Sequence, residues 1–508
     1  MVAPSEKLAQ SLEQLYKLQN DKGIAVVRAN DLSRTHKERL VANGFLREVI
    51  KGWYISIRPE EQDGDTTSWY ISFWYFVSVY LKSRFGNDWC LSPEQSLLLH
   101  SGNRTVPKQL LVRSPKAQNN VVELLHETSF FDLKLNIPPQ KEREEKEGIQ
   151  MYSLAAGLIS CSPELFINYS TDARICLSMI KNPSEILSVL LNGGHSVIAG
   201  RLAGAFRNTG IDRFADDIVN TMKSAGYDVR ETDPFTEKIT FSFGGREMSP
   251  YATRIRLMWN QMRELVIKNF PVSPGLLANA KECLEKIDEQ YVSDAYHSLS
   301  IEGYQVNLEL IERVRSGNWN PNDNEYDNHQ KDAMAARGYW QAFLKVKESI
   351  QSVLNGENPG EVADADHGAW YRELFAPSVT AGIIKATDLA GYRNNQVYIK
   401  GANHVPPNQA AVRDAMPVLF ELLKEEPEAG VRAVLGHFIF VYIHPYMDGN
   451  GRIARFLMNV MLASGGFSWT VIPVEKRNEY MAALEKASVK QEIEDFAKFI
   501  AGLVAKDN

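Results

Sequence analysis

At 508 residues the chain is longer than one hydrophobic core organises, and its length allows three or four domains. Hydrophobic residues make up 44% and charged residues 23%, with a net charge of −7, which is ordinary for a soluble globular protein. That balance gives no global signal for nucleic acid or an anionic membrane. Four cysteines, Cys90, Cys161, Cys176 and Cys283, lie far apart, form no metal-like pairs and suit a reducing cytoplasm.

The amino terminus, MVAPSEKLAQSLEQL, turns polar and helical at once and lacks the apolar core of a signal peptide. A helix is expected over about Glu6 to Gln19. Asn30 or Asp31 is the expected cap of a second helix, which runs to Val41 and is ended by Asn43-Gly44. Two short β-prone pieces then meet at Lys51-Gly52. Helix, helix and short hairpin is the outline of a winged helix, with Ser33-Arg34-Thr35-His36 near its DNA-facing turn. Residues 1–58 hold ten Lys/Arg against six Asp/Glu, about +4, opposite in sign to the whole chain. A small helical domain used for protein contacts fits the same pattern.

The apolar run WYISFWYFVSVYL, Trp69 to Leu81, is too short to span a bilayer and reads as a buried helix. Residues 61–245 read as mixed α/β. Within them KEREEKEG, Lys141 to Gly148, reads as a charged, solvated connector. Ala199 to Phe235 reads as helical with Gly and Pro punctuation. No internal repeat or low-complexity tract is present. From about Tyr251 the segments have helical period throughout.

The chemistry concentrates in IHPYMDGNGRIARFLMN, Ile443 to Asn459. Pro445 cannot extend the preceding helix, so His444 sits where the chain turns. Gly449 and Gly451, flanking Asn450, let successive backbone N–H groups converge on an anion at the start of the next helix. Arg452 and Arg455, three apart, share a face of that helix at the mouth of the anion site. Asp448 is a hard carboxylate where a magnesium ion bridging phosphates takes a ligand. His444 can be neutral near pH 7 and accept a proton from an attacking hydroxyl. These are the parts of a phosphoryl- or nucleotidyl-transfer site.

The segment resembles the signature of the Fic (filamentation-induced-by-cAMP) family, His-Pro-Phe-x-Asp-Gly-Asn-Gly-Arg-x-x-Arg, with Tyr446 in place of the usual Phe. The resemblance covers roughly residues 250–505. It implies a protein AMP transferase that moves AMP from ATP, with Mg²⁺, onto a Ser, Thr or Tyr hydroxyl of a protein target. It implies His444 as base, Asp448 as metal ligand, and Gly449, Asn450, Gly451, Arg452 and Arg455 as the nucleotide cradle, with Tyr480 near the adenine. The β-prone Gln396, Val397 and Tyr398 resemble the family's flap, a β-hairpin that docks the target as an added strand. SLSIEG, Ser298 to Gly303, taken alone is a helix ending in a Glu-Gly cap. It also resembles the family's inhibitory motif, which implies that Ser298 and Glu302 are inhibitory and that Glu302 reaches Arg455 as a carboxylate–guanidinium pair. His437 reads as a satisfied core histidine.

The amino-terminal part resembles the antitoxin of abortive-infection toxin–antitoxin systems. The expected fold is therefore multidomain α+β. It comprises a winged helix over 1–60, an antitoxin-like α/β region over 61–245 and an all-α Fic core with a hairpin flap over 246–508. DNA contact through residues 1–60, no membrane and a cytoplasmic location accompany that reading, and an oligomer is compatible with it. The alternatives are a DNA-binding regulator or antitoxin-like module with the Fic core as sensor, and a Fic enzyme that transfers another phosphate-containing group or removes AMP.

Overall fold

The computed structural model describes residues 4–22, 26–57, 59, 67–193, 195–236, 249–276, 279–317, 330–399 and 401–507. The expected domain edges near residues 60 and 245, and Lys400 of the flap, lie outside them. The chain divides into two units, Met1–Pro250 with Tyr398–Val405, and Tyr251–Val397 with Pro406–Asn508.

The first unit begins with α1 (Pro4–Lys22), β1 (Val26–Arg28), α2 (Arg34–Ala42), β2 (Leu46–Ile50) and β3 (Trp53–Ser56). The strands form an antiparallel sheet in the order β1-β3-β2 over Leu15, Val27, Leu40 and Leu46. The cap of α2 is Ser33, whose Oγ accepts the His36 backbone N–H (3.4 Å), not Asn30 or Asp31. Asp31 is already used, because its carboxylate accepts the Arg28 N–H at 2.8 Å and closes the turn after β1. The aromatic run forms α3 (Thr67–Phe85), which buries Trp69, Phe73, Phe76 and Leu81.

Next come β4 (Cys90–Leu91), α4 (Pro93–His100), β5 (Gln109–Ser114), β6 (Val121–Glu123) and β7 (Ser129–Lys134). They make a mixed sheet in the order β4-β5-β7-β6, with β5 parallel to β7. The expected loop at Lys141–Gly148 instead holds a strand and its turn. β8 (Arg143–Lys146) pairs antiparallel with β9 (Ile149–Tyr152). Glu147 and Gly148 both take positive φ (53° and 77°), the two-residue turn that matches strand twist. β9 buries Ile149 and Met151, so β8 can carry its charges outward.

Six helices close the unit: α5 (Leu154–Ser160), α6 (Glu164–Asn168), α7 (Ser170–Ser178), α8 (Ser184–Gly193), α9 (Ser196–Asn208) and α10 (Asp212–Ser224). The expected helicity up to Phe235 stops at Ser224. Beyond it the chain runs back across α9, where a Cβ on Gly204 would lie 2.2 Å from the Thr232 carbonyl oxygen. Only glycine permits that approach.

The second unit is helical. It contains α11 (Pro250–Asn269), α12 (Ala280–Ile301), α13 (Leu308–Arg315), α14 (Gln330–Leu354) and α15 (Pro359–Thr380). These are followed by α16 (Gln409–Glu425), α17 (Ala429–Ile443), α18 (Asn450–Ala463), α19 (Arg477–Lys490) and α20 (Glu494–Asp507). α17 and α18 are buried along nearly their whole length and form its centre, α18 carrying Asn450, Arg452, Arg455 and Asn459 inward with its apolar residues. Among the described residues no helix is long and apolar enough to cross a membrane. Gln396 to Ile399 form no strand ladder among the described residues; the Gln396 amide donates to the Pro406 carbonyl at 2.7 Å, and Ile399 O accepts the Ala402 N–H at 3.1 Å.

Gly204→Ala should therefore lower stability by about 1–3 kcal/mol, the usual cost of overpacking. A reduced urea midpoint for the full chain is expected; an unchanged midpoint contradicts the close approach.

Candidate active site

α17 ends at His444, which takes left-handed backbone (φ 54°, ψ 60°) and donates its N–H to Phe440 O at 2.9 Å. A side chain larger than Gly or Asn is costly there, so the surroundings must hold it. Arg393 does so. Its Nε donates to His444 O (2.7 Å), its backbone N–H to Pro445 O (2.9 Å), and its Nη2 to the Pro407 and Ile443 carbonyls. Asn450 staples the other side of the turn, accepting from Tyr446 N–H and donating to Tyr446 O, both at 2.9 Å. Both polar ends of the Asn450 side chain are thus committed to the loop. The Tyr446 ring stacks on Tyr371 at 3.9 Å and 4°, so an aromatic ring anchors the turn from below.

The His444 Nδ1 lies 3.2 Å from Val441 O. A carbonyl only accepts, so Nδ1 carries the proton and Nε2 presents a lone pair. Burial, with help from the Arg393 charge, pulls the His444 pKa down from 6.5 to about 4. The bond to Val441 and the Glu302 and Asp448 carboxylates oppose that shift without reversing it. His444 is therefore a neutral acceptor at pH 7.

α18 starts at Asn450 behind Gly449, which caps it at φ 79°. Arg455 is 3% exposed, and much of its in-plane edge is used. Nε donates to Ser298 Oγ (2.8 Å), and Nη2 donates to Ser298 O (3.1 Å) and Glu302 Oε1 (2.7 Å). The Glu302 carboxylate also lies over the first turn of α18, where a Cβ on Gly451 would be 2.4 Å from Oε1. It thus fills the place to which a helix N-terminus draws an anion. Burial pushes the Glu302 carboxyl up, but Arg455 and Arg452 overcome this and the net shift is downward. The Glu302 side chain keeps 28% of its surface exposed.

Glu302 is placed by the end of α12. Gly303 N–H bonds Ser300 O (3.0 Å) and Tyr304 N–H bonds Leu299 O (3.1 Å), with Gly303 at φ 89°. This is the Schellman closure, which needs a residue that tolerates left-handed backbone after Glu302.

Arg452 is 1% exposed and sits over the rings of Tyr304 and Phe375, at 5.1 and 5.0 Å. Asp448, with a side chain 63% exposed, accepts the Gly449 N–H at 2.6 Å and lies 3.4 Å from Arg452 Nη2. Among the described residues no cluster of three or more His, Cys, Asp or Glu is placed to hold a metal. One open carboxylate beside an anion cradle nevertheless suits magnesium, which keeps most of its waters and takes phosphate oxygens.

Tyr480 is buried, with its hydroxyl 2.7 Å from His437 Nε2, and burial raises its pKa to about 12. It lies in the wall behind Arg455. Burial, with the Arg455 charge, lowers His437 to about 3, so it is a neutral core histidine. Val397 is buried and Gln396 is pinned to Pro406, while Tyr398 groups with the amino-terminal unit. The structure thus brings His444, Asp448, Gly449, Gly451, Arg452, Arg455, Ser298 and Glu302 together. Sequence reasoning missed Arg393 and Tyr304. Arg393 acts on a turn 51 residues away, and Tyr304 gave no signal beyond its place after Glu302-Gly303.

The junction of two helices thus sets a histidine acceptor, a helix N-terminus and two buried arginines in one place, an arrangement whose charge suits an anion. Residues 368–462 match the Fic/DOC family, so the chain carries a Fic domain. That span contains the whole turn, whereas Ser298, Glu302, Tyr304 and Tyr480 lie outside it. The protein adenylyltransferase Fic of Drosophila yakuba is 28% identical over 242 residues, covering 46% of this chain and 43% of that protein. The protein of the same name from Drosophila willistoni is 28% identical over 222 residues, covering 43% and 41%. The chain spans less than half the length of these curated relatives. Among solved structures, a Fic-1 fragment from C. elegans aligns at 17% identity with a TM-score of 0.35, covering 66% of this chain and 85% of that one.

Because the folded-state pKa of His444 lies below 6.5, the neutral form persists as pH falls from 7 and is lost only through about 4. A titration of the imidazole nitrogen signals should show the Nδ1-protonated tautomer down to about pH 5. A midpoint near 6.5 contradicts the burial of this ring.

Proposed function

We propose that the chain is a protein AMP transferase that moves AMP from ATP onto a Ser, Thr or Tyr hydroxyl of a protein target, and that Glu302 restrains it. The observation that carries the reading is the junction itself: a neutral His444 Nε2, an anion cradle on Gly449–Gly451 and two buried arginines, within a Fic domain. Relatives named protein adenylyltransferase support AMP as the transferred group.

In this mechanism the ATP phosphates lie against the backbone amides that open α18, and Arg452 and Arg455 clamp them. Asp448 would hold magnesium, which supplies charge neutralisation on the phosphates. His444 Nε2 takes the proton of the target hydroxyl. The hydroxyl oxygen bonds to the α-phosphorus, the bond from that phosphorus to its bridging oxygen breaks, and the electron pair leaves with pyrophosphate. Arg393 holds the base by fixing the turn. The Asn450 side chain holds the loop, so its part toward the anion falls to its backbone. Tyr480 lines the inner wall, where the base of the nucleotide would meet α19. Residues 396–398 would present the target. In the resting chain Glu302 takes both the Arg455 edge and the space over Gly451, so in-line geometry at the α-phosphorus is denied.

Label from α-³²P-ATP, but not from γ-³²P-ATP, should enter protein. Transfer of γ label instead would make the chemistry phosphoryl transfer and contradict the reading. His444→Ala should cut labelling by about 10²–10⁴-fold, the usual loss of a general base. Arg393→Ala should cost on the order of 10²-fold through misplacement of that base, with ATP affinity little changed. Full activity in either variant would remove that residue from the mechanism.

A further inference from the structure

We propose that Tyr304 is a positioning residue for nucleotide binding: its ring presets the Arg452 guanidinium, so the turn that carries the brake also carries a brace. The proposal rests on the reading of Arg452 as a phosphate clamp. A guanidinium grips phosphate through in-plane N–H groups and is steadied by aromatic rings beneath its face. The two arginines of the site differ in this respect. Arg455 spends Nε and Nη2 on Ser298 and Glu302 and keeps only Nη1 buried without a partner. Arg452 Nε and Nη2 are buried without a hydrogen-bond partner, Nη2 having only the 3.4 Å ion pair to Asp448. Instead, the Arg452 Cζ lies over the Tyr304 and Phe375 rings.

Buried donors of this kind are normally satisfied, so the vacant edge points to an anion from outside the chain. The rings fix the plane, and the Tyr304 hydroxyl accepts a further hydrogen bond from the guanidinium, while Nε and Nη2 stay unspent. Phe375 belongs to α15, inside the Fic match, whereas Tyr304 comes from the segment after α12. The Schellman closure sends Glu302 and Tyr304, two residues apart, to different arginines. Removing the Glu302 carboxylate alone would release Arg455 and keep Arg452 braced. Deleting the α12 end would release one arginine and loosen the other.

The test uses the full chain in the Glu302→Gly background, where the anion site is open. ATP binding is measured calorimetrically, and labelling is resolved into KM and kcat. Tyr304→Ala should weaken ATP binding and raise the KM for ATP by about twofold to tenfold, the range of one cation–π contact. The kcat should change less. Tyr304→Phe, which keeps the ring and loses only the hydroxyl bond to Arg452, should weaken binding less than Tyr304→Ala. In an Arg452→Ala background, Tyr304→Ala should add nothing, which a merely structural loss would not reproduce. Tighter ATP binding in Tyr304→Ala would make Tyr304 part of the brake and overturn the proposal. Equal weakening with and without Arg452 would overturn it too. ATP binding that responds as described while no α label is transferred would retire the AMP-transfer reading and leave the brace standing. No ATP binding in the Glu302→Gly parent would remove both.

Discussion

Everything in the site depends on one turn that the backbone does not favour. Two buried helices, α17 and α18, meet through residues 444–449, and the junction is closed by a histidine in left-handed conformation. Arg393 offsets that local cost by gathering carbonyls from both sides of the bend, and Asn450 ties Tyr446 to the start of α18. The strained residue is also the one whose ring nitrogen is left available. Strain held by an over-determined surrounding is a recurring property of functional positions. Here the restraint also sets the electrostatics: burial and the Arg393 charge keep the imidazole neutral.

The anion site and its occupant form the second layer. A helix N-terminus, a glycine too small to block it and two guanidinium groups make a strong positive pocket. Left empty, such a pocket would carry buried, uncompensated charge. Glu302 supplies the compensation from within the chain, at 2.7 Å from Arg455 and over Gly451. Behind it the buried Asp294 accepts from Tyr339 at 2.6 Å, one helical turn before Ser298 on α12. α12 thus presents Asp294, Ser298 and Glu302 toward the α18 side at four-residue spacing, which is the period of one helix face.

How much of this was legible in the sequence follows from how local each cause is. The Ile443–Asn459 stretch names its own chemistry because its groups are neighbours in the chain. Glu302 and Arg455 are 153 residues apart, so their pairing was readable only through a family resemblance. Arg393 was not readable, because nothing local shows that its guanidinium serves carbonyls 50 residues on. The β8–β9 hairpin was missed because charge outweighed the Glu147-Gly148 turn signal, although Ile149 and Met151 kept the alternation of a half-buried strand. Ser33 caps α2 because Asp31 is spent on Arg28, a competition between two good caps that composition cannot rank. The flap was expected to pair as a hairpin, but its β-prone residues are held by side-chain bonds such as that of Gln396. β propensity describes a surface on which a strand can lie and does not by itself supply a partner.

In the proposed function one carboxylate silences the site by holding Arg455. The most direct measurement is the rate of α-³²P-ATP labelling in a double-mutant cycle of Glu302→Gly and Arg455→Ala on the full chain. Glu302→Gly should raise labelling well above the parent, and the gain should disappear when Arg455 is also removed. Unchanged labelling in a folded Glu302→Gly chain, or equal activation with and without Arg455, would contradict it.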